Sequence, residues 1–248
     1  MNKNPSCLLL IGVLALSLAE NAIAAKRFPR YERGVRDAAV AESTEIAGDL
    51  VAVTSNNGSL IWNDDKTLVK VVTWKSQSSY ENYILPYNET SSNEAFVIWV
   101  TMAPRIKEFC QNYLHSHPHA GPSNLDLRLK QRLGLHPEWQ YDVFVEMWVD
   151  PTDIFRPCVD PDPSDSTCNL EFGSTDPAVK NIQDYTAFYK DLYFTYFRAT
   201  PGVPWTGLGY TYDWGHPHHE EGESEFILSP GTPYQIEQAV PTWQYCSQ

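Results

Sequence analysis

Residues 141–150 read Tyr-Asp-Val-Phe-Val-Glu-Met-Trp-Val-Asp. Successive side chains of a strand point to opposite faces. Val143, Val145, Met147 and Val149 therefore share one face, and Phe144 and Trp148 share the other. Both faces are apolar apart from Asp142 and Glu146, the pattern of a central strand covered on both sides. Outward from this run, Thr67–Trp74 (Thr-Leu-Val-Lys-Val-Val-Thr-Trp) and Ala95–Met102 (Ala-Phe-Val-Ile-Trp-Val-Thr-Met) are β-rich stretches of similar length,. Glu225–Leu228 and Tyr234–Val240 add two late strands. Leu50–Thr54 and Ser59–Trp62 flank Asn57-Gly58, a pair suited to the positive φ angles of a hairpin turn, so a further antiparallel hairpin is expected there,.

Three helical stripes separate these runs. After Pro104, which suits a first helical turn, Ile106, Phe109, Cys110, Tyr113 and Leu114 fall on one face,. Leu125, Leu129 and Leu133 form a second stripe, capped by Ser123 or Asn124 and closed by Gly134,. Ile182, Tyr185, Tyr189, Leu192 and Tyr196 predict a third helix over 179–198,. Strands and helices do not alternate regularly. The expected class is α+β, a mostly antiparallel sheet with about three packed helices.

The first residues set the compartment. Lys3 precedes an apolar run from Leu8 to Leu18, and Ala22-Ile23-Ala24 is a small-residue cleavage site. This is the layout of a signal peptide over 1–24, too short to span a bilayer. Residues 25–48 read as a flexible basic leader containing Lys26, Arg27, Arg30, Arg33 and Arg36, and 49–248 as one globular domain,. No later stretch has transmembrane length, so the mature chain is expected to be secreted or periplasmic. The formal net charge of −13 argues against nucleic acid as a partner, since binding it needs clustered cations,.

Five cysteines occur, of which Cys7 falls in the signal. The remaining Cys110, Cys158, Cys168 and Cys246 make an even set, as expected for disulfides in an exported chain,. Of the three pairings that four cysteines allow, Cys158–Cys168 closes a short acidic loop and Cys110–Cys246 ties the C-terminus to a core helix. A Cys-only zinc site lacks the usual C-x-x-C pair.

Candidate chemistry is sparse. His115, His117 and His119 alternate around Pro118, and His216, His218, His219 and Glu220 follow the same theme around Pro217. Alternate residues of an extended chain point the same way, so two such loops brought together would suit zinc or copper. Asp160 to Glu171 echoes the oxygen spacing of a calcium loop without its glycine,. Glu146, Asp150, Asp213 and Glu225 are the carboxyls that a carbohydrate-directed hydrolase could pair, with Trp148, Trp205, Tyr210, Tyr212 and Trp214 as sugar platforms,. For Glu146 a structural ion pair with Arg156 or Arg198 is the simpler expectation. No nucleophile elbow, HExxH, phosphate loop or dinucleotide fingerprint is present,.

Phe144–Val149, Asp153–Cys158 and Pro204–Gly215, with Ser224-Glu225-Phe226 and Tyr245-Cys246, together resemble a group of uncharacterised exported bacterial proteins. The resemblance runs from Leu60 onward and implies no activity, ligand or site residue. The functional expectation is therefore an exported protein that binds a transition metal, a small ligand or an envelope component. An extracytoplasmic hydrolase and a non-catalytic interaction protein are the alternatives.

Overall fold

A computed structural model describes residues 28–198, 202–216 and 218–248. Residues 1–27, which include the expected signal peptide and the first residues of the expected leader, Lys26 and Arg27 among them, lie outside these residues. The described chain is α+β. Its main sheet has six strands in the order β4-β7-β2-β1-β3-β8, all neighbours antiparallel. They are β1 (Val69–Lys75), β2 (Ile98–Met102), β3 (Val143–Val149), β4 (Ile154–Phe155), β7 (Phe226–Leu228) and β8 (Tyr234–Pro241). A separate ribbon pairs β5 (Tyr210–Tyr212) with β6 (Glu221–Ser224).

β3 sits between β1 and β8, with seven register pairs to each. Its two faces are both buried, as its composition requires. Val143, Val145, Met147 and Val149 join Val69, Val71, Val100 and Met102 in one core layer, closed by Val51, Val53, Leu60 and Ile84. Phe144 points the other way, with Val72 and Trp74, against α3 (Ala103–Ser116), α4 (Pro122–Arg132) and α6 (Thr242–Ser247).

The second face has two separate coverings. α3, α4 and α6 lie over the β1, β3 and β8 half through Ile106, Cys110, Leu125, Leu129 and Tyr245. Over the β2, β7 and β4 half lie α5 (Tyr185–Asp191) and the turn that follows it, packed on Trp99, Phe155 and Ile227. Two disulfides close the structure, Cys110–Cys246 between α3 and α6 and Cys158–Cys168 across the acidic loop, the pairing read from the sequence. No helix among the described residues is long and apolar enough to cross a membrane.

Several local expectations are corrected. The chain around Asn57-Gly58 makes no hairpin: residues 50–53 run extended and bond to the acidic loop instead, Leu50 N–H to Ser166 O and Val53 N–H to Pro163 O. The helix expected over 179–198 is α-helical only from Tyr185, where Asp184 accepts from Ala187 N–H and caps it. It then widens to a π-helix over Leu192–Phe197. Residues 28–48, expected as a flexible leader, include helix α1 (Pro29–Asp37). Its Tyr31 is buried edge-on to Trp214 at 5.5 Å and to His136 at 4.9 Å, and donates to Gly202 O. The leader's arginines on this helix thus sit on a docked element. Helix α2 (Gln77–Tyr83) was not legible because it carries no apolar stripe: none of its residues is buried.

Candidate functional site

A cavity of about 610 Å³ lies where the two helical coverings part. Its existence follows from the sheet. β1 and β2 pair only at Val71↔Met102 and Val72↔Thr101. Continued in register, Trp74 would face Trp99, but that pair is not formed. β1 stays with β3 along its whole length, and β2 turns with β7. The sheet therefore opens beyond Val72.

Aromatic rings fill the two banks of the opening. On the β1 bank, Trp74 is stacked between Tyr141 (4.7 Å) and Phe144 (5.3 Å). On the β2 bank, Trp205 stacks on Phe197 at 4.1 Å, and Trp99 meets both edge-on. Leu133, Gly134 and Leu135, which end α4, close one side, and Trp139 marks a place where the lining reaches solvent. Gly134 has φ +66°, and a Cβ there would come within 3.2–3.3 Å of Pro204 O and the Tyr212 backbone. Only glycine lets the chain leaving α4 turn this tightly against the Pro204 segment,.

One carboxyl and one amine line this apolar space, beside the Tyr141 phenol. Glu225 is the single residue between β6 and β7, at the bend where the chain passes from ribbon to main sheet. It is buried and accepts from the Trp205 indole N–H at 2.6 Å. Burial pushes its carboxyl up to about 8, against one opposing hydrogen bond, so it is largely neutral at pH 7,. Lys75 ends β1. Desolvation alone pushes its ammonium down to about 8, so most of it stays charged at pH 7,. Among the described residues its ammonium has no hydrogen-bond or ion-pair partner.

The other candidate carboxyls are engaged in structure. Asp213 is buried and receives both arms of Arg128, at 2.9 and 2.6 Å, as well as Gly215 N–H. Glu223 is held by Arg132 (2.8 Å) and Arg105 (3.4 Å). Arg128 and Arg132 lie over the Phe109 ring, which completes a closed charge cluster. Glu146 does not meet Arg156 or Arg198, the partners expected from sequence. It accepts from Tyr245 Oη and Gln238 Nε2, each at 2.8 Å, with Lys70 at 3.9 Å. Arg198 instead donates to the Ala38 and Trp205 carbonyls.

The acidic loop that echoes a calcium site in sequence is organised by a buried cation. Arg156 is fully buried and donates to Asp165 Oδ1, Asp165 O, Thr167 O and Val51 O. The loop's oxygens converge on this guanidinium, and the disulfide pins the loop around it.

The histidines do not assemble as the zinc or copper reading requires. His115 is in the last turn of α3, and the next histidine, His117, stacks on Tyr113 with its Nδ1 3.0 Å from Tyr113 O. His216 and His219 approach each other at 5.4 Å between ring centroids. Among the described residues no group of three or more His, Cys, Asp or Glu is placed to hold a metal ion. That statement covers His119, His218 and Glu220 as well; Pro217 lies outside the described residues.

Glu225 is thus the one carboxyl read from the sequence that lines the cavity. Lys75, Trp74, Trp99 and Trp139 were missed. A lysine closing a β-rich run looks like an ordinary exposed strand end, and the tryptophans look like core. Nothing local in the sequence says that β1 and β2 part company. No family model, curated protein or solved structure matches the chain.

Proposed function

We propose that the chain is an extracytoplasmic binding protein for a small, mostly apolar molecule that carries one anionic group. The observation that carries this reading is a lysine with no partner among the described residues, in the wall of an aromatic cavity. Ligand sites are concave and mostly apolar, with a few placed polar groups that fix orientation, and a 610 Å³ space fits that description. The sign of the ligand follows from the carboxyl and the amine. Lys75 is mostly charged at neutral pH and lacks a counter-ion among the described residues. Glu225, held neutral beside Trp205, does not supply one. An incoming anion completes the pair in a setting of low dielectric, where it is worth more than in water.

The export features, a leader of signal type and two disulfides, support the compartment,. A carbohydrate hydrolase needs two carboxyls flanking one bond, and only Glu225 among the candidates lines the cavity. The test uses a matched pair of fluorescent dyes, an anilinonaphthalene sulfonate and an uncharged phenylnaphthylamine. The anionic dye is expected to bind at one site per chain and to lose about tenfold in affinity in Lys75→Met, with the uncharged dye unaffected by the change. Absence of saturable binding by either dye removes the proposal.

A further inference from the structure

We infer that the molecule taken up by this cavity is a short peptide, held extended along the open edges of β1 and β2 with its terminal carboxylate at Lys75. The inference rests on the binding reading above and adds the class of ligand. It comes from the direction in which the cavity meets the sheet. Four consecutive residues of β1, Val72 to Lys75, all line it, as do Trp99, Val100 and Thr101 of β2. Alternate side chains of a strand point to opposite faces. A cavity lined by consecutive residues therefore touches the strand along its edge.

The hydrogen bonds identify which main-chain groups face that edge. Lys75 C=O accepts from Asp142 N–H on the β3 side, whereas Lys70 N–H donates to Ile61 O on the opposite side. Even-numbered residues of β1 therefore address β2, and Trp74 is the first beyond the last ladder pair, Val72↔Thr101. On β7, Glu225 N–H donates to Gly209 O and Ser229 N–H to Asp153 O, away from β2. Phe226 and Leu228 thus bond to Val100 and Ile98, which leaves Trp99 addressing β1. The main chains of Trp74 and Trp99 look toward each other across the opening without pairing.

Strand edges inside a protein require partners, because an unmet N–H or C=O away from water costs as much as a lost hydrogen bond. A fatty chain would satisfy the aromatic walls and leave both edges bare. A peptide satisfies the walls with its side chains and the edges with its backbone, the mode of strand addition. The open stretch of β1 beyond Val72, from Thr73 to Lys75, is three residues, about 10 Å at the rise of a strand,. It ends at the ammonium that would receive a terminal carboxylate.

The experiment is displacement of the bound naphthalene sulfonate dye from the full chain by four competitors. They are a pool of acetylated tripeptide acids of phenylalanine, leucine and valine, the same pool with N-methylated backbone amides, the same pool as C-terminal amides, and dodecanoic acid. The tripeptide acids are expected to displace the dye at concentrations at least tenfold lower than the N-methylated or amide pools. Equal displacement by the N-methylated pool, or displacement by dodecanoic acid alone, overturns the peptide assignment and leaves the binding reading standing. A dye that never binds saturably overturns both.

Discussion

Trp205 donates its indole N–H to Glu225 across 2.6 Å, inside the wall of the cavity that opens between β1 and β2. That bond holds a carboxyl in an apolar place, where burial favours its protonated form,. The consequence is a pH dependence of stability with an unusual sign. The unfolded carboxyl titrates near 4.5 and the folded one at about 8. Between these values the native state holds a proton that the unfolded state has lost, so stability falls as pH rises from about 5 to about 8. Glu225→Gln, which keeps an acceptor for Trp205, is expected to flatten that part of the curve. The gain at pH 8 should be a few kcal/mol, since each tenfold difference in proton affinity between the two states is worth about 1.4 kcal/mol. Urea denaturation at several pH values measures it.

Lys75 acts in the alkaline range. Its folded value of about 8 lies below its ordinary 10.5. Between the two, the unfolded state holds the proton and the native state has released it, so stability rises with pH across that interval. Lys75→Met is expected to remove this rise and to leave the acid side unchanged, a difference that the same urea series reads.

Asp213→Asn separates structure from binding. Asp213 lies under Arg128 and is nearly inaccessible to solvent. Removing its charge leaves Arg128 without its carboxylate partner, while Arg132 keeps Glu223. The change is expected to cost about 2–4 kcal/mol of stability. Dye affinity should be unchanged, because Asp213 does not line the cavity. A loss of affinity in a fully folded variant would contradict the assignment of this carboxylate to structure.

The two disulfides are expected to differ in weight. Cys110–Cys246 spans 136 residues and Cys158–Cys168 spans 10. In the chain-entropy treatment the first restricts the unfolded chain by about 5 kcal/mol and the second by about 3. Paired Cys→Ala variants compared by denaturant midpoint test the order. A larger loss at Cys158–Cys168 would mean that the loop wrapped on Arg156 depends on its staple for native order.

The parts of the fold that were legible are those where one residue's neighbours in sequence decide its environment. The two-faced apolar run of 143–149, the stripe of Ile106 and Cys110, the closure at Gly134 and the disulfide pairing all have local or pairwise causes. The site was legible only at Glu225 and Trp205. Its cavity is made by a divergence of two strands, and divergence has no signature along either one. The histidine tracts misled for the converse reason. Local spacing can orient two imidazoles, but only tertiary packing brings two loops together, and His117 is turned back onto its own helix at Tyr113. Glu146 found Tyr245 and Gln238 because α6 and β8 return to β3, a contact between residues about a hundred positions apart.

On the proposed reading the Lys75 ammonium receives the ligand's anionic group. Carbon-13 labelling of lysine, with the Lys75 side chain assigned through Lys75→Met, allows its titration to be followed by NMR with and without saturating anionic dye. The predicted midpoint lies near 8 in the free protein and moves upward by a pH unit or more on saturation, because a bound anion stabilises the charged form,. A midpoint that stays in place while the dye occupies its site would contradict the claim.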